Sequence, residues 1–261
     1  MLSFIIPAHN EELWIAKCLG NIRAAMEKVA EPYEVIVVDD ASTDSTPEIA
    51  RRKGAGTVER GARDPAQPST AGLQSLRILR VEHRNIAAVR NAGARAAGGD
   101  TFFFVDADTQ ANERAVRAAL VALRAGAAGG GCAPAFEDPR PLWARFIIWI
   151  AVWLGRRLRL VGGCFQFCTR DAYVAIGGYD ETLRAGEDMA FCQAIKKIGR
   201  FVVPKPTVVT SARKLHVVTP WQVISLLVTI VLRGPQYESD WIIDILYGER
   251  AQACRKPTSP G

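Results

Sequence analysis

The sequence predicts an α/β protein, with a mostly parallel central sheet and helices laid on both faces. Three observations predict it. Apolar runs of strand length recur through the first half and are nearly continuous, as strands buried on both sides require. Helical periodicity fills the gaps between them. Acidic residues gather where two of the apolar runs end, which is where open parallel sheets bind ligands.

In chain order, residues 3–7 are the first apolar run. From Glu11 onward Ile15, Leu19, Ile22 and Met26 recur at helical spacing, with Asn10 placed to cap. Residues 34–38 form the second strand, cut off by Asp39 and Asp40. Ser45-Thr46-Pro47-Glu48 opens a helix, its proline at a position where a missing N–H does no harm. A strand over 76–81, a helix over 86–97 and a strand over 101–105 follow, the last running into Asp106. Residues 54–75, rich in Gly, Pro, Ala and Arg, are expected to be a surface excursion, and 125–131 a second loose connection. The second half is less regular: a helix over 142–154, a strand over 161–168 and a helix over 187–198. Short strands at 201–203 and 207–209, an apolar helix from Pro220 and an apolar turn at 241–247 complete it, before a disordered tail over 250–261. A single domain over 1–249 accommodates these elements.

With 261 residues, 49% of them hydrophobic and 23% charged, the chain has material for a sizeable core, which excludes a disordered protein. Lysine and arginine outnumber the acids by 33 to 27. The excess gathers at Arg51-Arg52-Lys53, Arg156-Arg157-Arg159, Lys196-Lys197 and Arg213-Lys214. Such clusters suit a nucleotide diphosphate or an anionic membrane face, and equally a solvated helix surface. No nucleic-acid-binding motif accompanies them. Six cysteines without a C-x-x-C pair are expected to be small buried hydrophobes rather than a disulfide framework. Cys164 and Cys168, four apart, would share one face of a strand. No secretory signal opens the chain, so a reducing cytoplasm is the expected compartment.

Two stretches raise the question of a membrane. Residues 146–154 are apolar, carry Trp149 and Trp153, and close on Arg156, Arg157 and Arg159. They supply about half of the ~20 residues a bilayer requires. Residues 217–232 are longer but interrupted by Thr219, Pro220, Gln222, Ser225 and Thr229. Neither reads as a span. Tryptophan beside a cationic border suits a helix lying in the interface, and a buried amphipathic helix fits as well.

Asp106-Ala107-Asp108 is the centre of the chemistry. Two carboxylates one residue apart at a strand end reach into the same space, and their like charges are unfavourable unless a cation lies between them. A divalent ion with oxygen ligands is the natural partner, because it also binds two oxygens of a diphosphate. Acids that merely cap a following helix give the same triplet. The surrounding series is more specific: Ile5-Ile6-Pro7-Ala8-His9-Asn10-Glu11-Glu12, Val37-Val38-Asp39-Asp40-Ala41-Ser42-Thr43-Asp44, Val89-Arg90-Asn91-Ala92-Gly93 and Phe104-Val105-Asp106-Ala107-Asp108. Gly177-Gly178-Tyr179-Asp180 and Gly186-Glu187-Asp188-Met189-Ala190-Phe191 extend it. In this order the motifs resemble those of the family-two glycosyltransferases, closely over residues 2–110.

The resemblance implies the GT-A fold, hexosyl transfer from a UDP- or GDP-linked sugar, and a divalent metal, Mn2+ or Mg2+. It implies a nucleotide-sugar half over about 1–110 and an acceptor half over about 129–249. Carried over residue by residue, it places Pro7, His9 and Glu11 in the nucleotide pocket and Asp39 or Asp40 on the base or ribose. A carboxylate at a strand end is suited to accept such hydrogen bonds, although Asp40 could instead organise the turn through Ser42 and Thr43. Arg90 and Asn91 are set to touch the donor or to pack at the sheet edge. Asp106 and Asp108 hold the metal, with His216 as a further ligand and Arg213 or Lys214 near the diphosphate. Asp188 is the expected general base of a single inverting displacement, while Glu187 suits an acidic helix start.

The chain departs from the processive members of that family in having no Q-x-x-R-W motif, which argues for one sugar per acceptor. A lipid-linked acceptor would account for the tryptophan-rich helices. Two other readings stay open: a nucleotidyltransferase, whose Gly-rich basic loop is missing after the first strand, and a non-catalytic nucleotide-sugar-binding module.

Overall fold

The computed structural model describes residues 1–54, 73–137, 142–183, 185–213 and 219–233. Its first half alternates strand and helix: β1 (Leu2–Ala8), α1 (Ile15–Val29), β2 (Tyr33–Asp40), α2 (Thr46–Gly54), β3 (Leu73–Val81), α3 (Ile86–Ala96) and β4 (Thr101–Val105). Then come β5 (Thr109–Gln110), α4 (Glu113–Arg124), β6 (Gly129–Gly131), β7 (Ala133–Phe136) and α5 (Leu142–Leu158). The chain continues through β8 (Phe165–Thr169), α6 (Arg170–Ala175), α7 (Glu187–Ile198), β9 (Phe201–Val202), β10 (Thr207–Thr210) and α8 (Pro220–Arg233).

A seven-stranded sheet runs in the order β3-β2-β1-β4-β8-β6-β9. The first four strands are parallel, β8 is antiparallel to both β4 and β6, and β9 returns parallel to β6. Consecutive βα units step outward from β1 to β3, and the next strand, β4, is laid on the other side of β1. This reversal opens a crevice beyond the carboxyl ends of β1 and β4, the place where such sheets take ligands. A small second sheet, β5-β10-β7, stands beside it.

Alternation along each strand divides the apolar side chains between two faces. Phe4, Ile6, Val35, Val37, Phe103 and Val105 pack with Ile15, Leu19, Ile22 and Met26 of α1 and Ala115, Val116 and Leu120 of α4. Ile5, Ile36, Val38, Phe102 and Phe104 pack with Val89 of α3 and Phe191 and Ile195 of α7. α3 lies so close to the sheet that a Cβ on Gly93 would overlap the side chains of Ile5 and Val38.

Several sequence expectations need correction. Asn10 does not cap α1, which begins at Ile15 after Trp14 with no side-chain cap. Asn10 instead takes a left-handed backbone (φ 53°) and bonds across to the loop after β2, which fixes it away from the helix. Asp39 and Asp40 do not cut β2 off but are its last two residues, in register with Arg80 and Val81 of β3. The loose connection over 125–131 contains β6, three glycines in the main sheet, which no periodicity could reveal. α4 is not among the expected elements, although Val116, Leu120 and Leu123 recur at helical spacing; Asn112 caps it by accepting from Ala115 N–H at 3.0 Å. The strand expected over 161–168 starts only at Phe165, so Cys168 lies on it and Cys164 does not. The five cysteines among the described residues are unpaired, and burial pushes the Cys132 and Cys192 thiols up to about 12. Residues 55–72 of the excursion, the turn at 241–247 and the tail from 250 lie outside the described residues.

Candidate active site

The crevice is built first from backbone ends. β1 ends at Ala8, opposite Asp39 of β2. His9 Nδ1 meets the Asp40 carbonyl at 2.6 Å, and since a carbonyl only accepts, that nitrogen carries the ring proton. The loops after β1 and β2 are then stitched together. Asn10 N–H donates to Ser42 Oγ (3.0 Å), Glu11 N–H to Thr46 Oγ1 (2.7 Å), and Thr43 N–H to Asn10 Oδ1 (2.8 Å). Asp40 Oδ1 accepts from His83 and Arg84 N–H at 2.7 and 3.1 Å, so it organises the loop after β3 rather than the turn through Ser42 and Thr43. Asn10, Ala41 and Arg84, one in each loop, all hold positive φ. Strained backbone of this kind concentrates where a surface is shaped for a ligand.

Asp39 is different. It is fully buried; its Oδ1 accepts from Ser42 N–H at 3.4 Å, while Oδ2 has no hydrogen-bond partner and only a distant Arg80 at 3.9 Å. A buried acceptor left unsatisfied costs on the order of 1–3 kcal/mol. An N–H or hydroxyl supplied by a ligand would remove that penalty.

The second group of residues is a chain of alternating charge. Arg213 makes a two-pronged ion pair with Glu11 (2.8 and 2.6 Å) and reaches Asp108 Oδ2 at 3.3 Å. Thr210 Oγ1, at the end of β10, donates to Asp108 Oδ1 at 3.3 Å. Arg90, buried on α3, donates to Asp106 Oδ1 (2.9 Å) and Glu187 Oε1 (2.7 Å) and lies over the Tyr179 ring at 5.2 Å. Arg90 therefore serves two acids instead of facing open space. Asp106 is about a third exposed, and Arg90 engages only one of its oxygens.

Among the described residues no three His, Cys, Asp or Glu side chains converge as a closed metal site, and His216 and Lys214 lie outside those residues. Asp106 and Asp108, each already paired with an arginine, would suit a divalent cation only if it drew its other ligands from water and phosphate oxygens, the usual habit of Mg2+. A concavity of about 370 Å3 lined by Glu12, Leu13, Ser45, Glu48, Ile49 and Arg52 contains neither Asp106 nor Asp108.

Asp188 opens α7 beside Glu187. Its Oδ2 accepts from Gly163 N–H and its Oδ1 from Met189 N–H, both at 2.7 Å. The residue is partly buried. Burial, reinforced by the Glu187 charge, pushes its carboxyl up to about 7. That value suits a group that must take a proton near neutrality. Gly163 is shared between both centres: its N–H holds Asp188, its carbonyl accepts from Arg90 at 3.4 Å, and a Cβ there would collide with the Arg90 guanidinium.

Comparison with known proteins assigns this arrangement. Residues 3–170, which include β1, β2, Arg90 and both acids after β4, match the family described as glycosyl transferase family 2. The chain belongs to glycosyl transferase family 2. Curated relatives of this family-2 protein include an undecaprenyl-phosphate 4-deoxy-4-formamido-L-arabinose transferase of Aeromonas hydrophila, 31% identical over 110 residues. That match covers 42% of this chain and 29% of the relative. The low-salt glycan biosynthesis hexosyltransferase Agl6 of Haloferax volcanii is 47% identical over 58 residues, covering 22% of this chain and 14% of the relative. The matches thus span less than a third of either relative's length. Among solved structures, the mannosyltransferase PcManGT from Pyrobaculum calidifontis, in complex with GDP-Man and Mn2+, aligns with a TM-score of 0.63 at 21% identity, over 97% of this chain and 70% of that one. TarS 1-349 of S. aureus aligns at 0.58 with 17% identity, over 97% and 72%. The shared architecture is the GT-A fold.

The structure brings together most of the residues that the motifs of this family-2 chain single out. Glu11, Asp108 and Arg213 form one cluster, Arg90, Asp106 and Glu187 another, with Asp188 next to Glu187. His9, Asp39 and Asp40 line the stitched loops, and Pro7 sits within β1 opposite Val38. Sequence reasoning missed Gly163, Thr210 and the ion-pairing role of Glu187. The Gly162-Gly163 pair before a strand was the signal available for the first. Replacing Gly163 by Ala is expected to destabilise the fold by about 1–3 kcal/mol, the usual cost of overpacking. Denaturant unfolding checks it; native stability would show that the loop has room to shift.

Proposed function

We propose that this chain transfers a single sugar from a UDP- or GDP-linked donor to an acceptor hydroxyl, inverting the anomeric centre. The observation that carries the reading is Asp188: a partly buried carboxylate held by two backbone N–H groups, joined through Glu187 and Arg90 to Asp106. In this reading Asp188 Oδ takes the hydroxyl proton as the oxygen attacks the anomeric carbon. The bond to the diphosphate breaks on the opposite side, and the nucleoside diphosphate leaves with the electron pair. Asp106 and Asp108, with His216, would hold a divalent cation, which when bound supplies Lewis-acid stabilisation of the leaving diphosphate.

Asp39 would bind the base or ribose through the oxygen that lacks a protein partner. Pro7, His9 and Glu11 would shape the nucleotide pocket with it. Arg213, between Glu11 and Asp108, would balance charge beside the diphosphate, and Arg90 would hold Asp106 at its donor-facing angle. Solved neighbours bound to GDP-Man with Mn2+ and to UDP-GlcNAc support the donor class. A relative named for undecaprenyl phosphate supports a lipid-linked acceptor.

Incubation with a panel of nucleotide sugars and Mn2+ tests the reading. A family-2 transfer or slow hydrolysis releases nucleoside diphosphate, and chelation should stop it. Release of pyrophosphate would identify nucleotidyl transfer instead, and no turnover with any donor would leave a binding module.

A further inference from the structure

α5 packs against α8, and each helix turns a row of large apolar side chains to solvent. On α5 the row is Phe146, Trp149 and Trp153, exposed by 65, 64 and 60%, with the rings of Phe146 and Trp149 stacked at 6.3 Å. On α8 it is Trp221, Ile224 and Val228, exposed by 77, 36 and 48%. Both rows follow the i, i+3, i+7 spacing of a single helix face, which a globular protein ordinarily buries. Here the stripes face outward. Trp149, Trp153 and Trp221 are the exposed tryptophans among the described residues.

Charge identifies the occupant. Neither helix contains an Asp or Glu. Arg145 lies one turn before Trp149, and Arg156, Arg157 and Arg159 close α5, all of them exposed. A second copy seated on this face by two-fold symmetry would set the same cationic patch against itself. A layer of anionic headgroups meets it with opposite charge while accepting the indole rings at its apolar boundary. No helix among the described residues is long and apolar enough to cross a membrane. We infer that α5 and α8 form a surface that docks the protein in the plane of an anionic lipid bilayer.

The inference stands apart from the donor, metal and base assignments. It has one consequence for them: β7, which leads into α5, ends at Phe136, in register with Thr210, and the Thr210 hydroxyl meets Asp108. Docking would bring this side of the site toward an acceptor carried in the bilayer.

The test uses the full chain with phosphatidylcholine vesicles, with and without phosphatidylglycerol. Expected results are co-sedimentation with the anionic vesicles only, a blue shift of tryptophan emission, and weakening as salt rises. Trp149→Glu with Trp153→Glu should lower vesicle affinity by at least about tenfold, and Arg157→Gln with Arg159→Gln by roughly fivefold for each arginine. An unchanged thermal unfolding midpoint in both variants would separate lost docking from lost fold. The inference is overturned if neither vesicle binds at low salt, or if both variants bind as the parent does. A concentration-dependent dimer abolished by Trp153→Glu would overturn it too, by making this face a protein interface.

Discussion

Asp188→Asn is expected to lower transfer by about 10²–10⁴-fold while leaving donor affinity near that of the parent. The amide keeps the shape and its one oxygen can still accept from Gly163 or Met189 N–H, though not from both, and it cannot take a proton. Single-turnover transfer and calorimetric titration of the donor separate the two quantities. Transfer at the parent rate would sink the base assignment. The pH dependence follows from the same environment. With the carboxyl pushed up to about 7, kcat/KM should rise as pH increases through about 7 and level off above it. Glu187→Gln should move that limb to lower pH, because the Glu187 charge is one of the causes that raise it. Stability runs the opposite way. A carboxyl with a raised folded value favours the native state while protonated, a contribution fully present below about 3.8 and lost as pH climbs through about 7. The unfolding temperature should therefore fall across that window, and Asp188→Asn should flatten the fall.

Asp108→Ala is expected to abolish the metal-dependent part of donor binding, a loss of at least ~100-fold in affinity or about 3 kcal/mol. Removing this carboxylate leaves Asp106 as the one acid of the triplet, and one carboxylate is a poor anchor for a cation that must also clasp a diphosphate. Arg213 keeps its two bonds to Glu11, so the loop it belongs to should stay in place. Calorimetry with and without Mn2+ measures the difference. Equal donor affinity in both conditions for the parent protein would end the metal reading, whatever the variant does. Should parent and variant instead bind equally well with Mn2+ present, the cation is held by other residues.

Much of the fold was legible because burial on both sides leaves a direct imprint on composition. The edges of β4 and of α7 agree between sequence and structure, and the strand ends bearing Asp39, Asp40, Asp106 and Asp108 lie where the apolar runs stop. Hydrophobic periodicity is a local property, and so are the ordered motifs that point to the family. β6 escaped for the same reason in reverse. Three glycines carry no apolar contrast, and β6 owes its form to the strands beside it.

The sequence by itself determined the α/β class, the family and which carboxylates stand at the carboxyl edge of the sheet. Only the tertiary structure decided how those charges are shared. Arg90 and Glu187 are 97 positions apart, as are no two members of a local motif, yet they meet at 2.7 Å in the core. Arg213 returns from the far end of the chain to Glu11 across 202 positions. Pairings of that kind arise from the crossing of chain segments in space and from the low dielectric that makes an unpaired buried charge costly. No spacing along the chain encodes them.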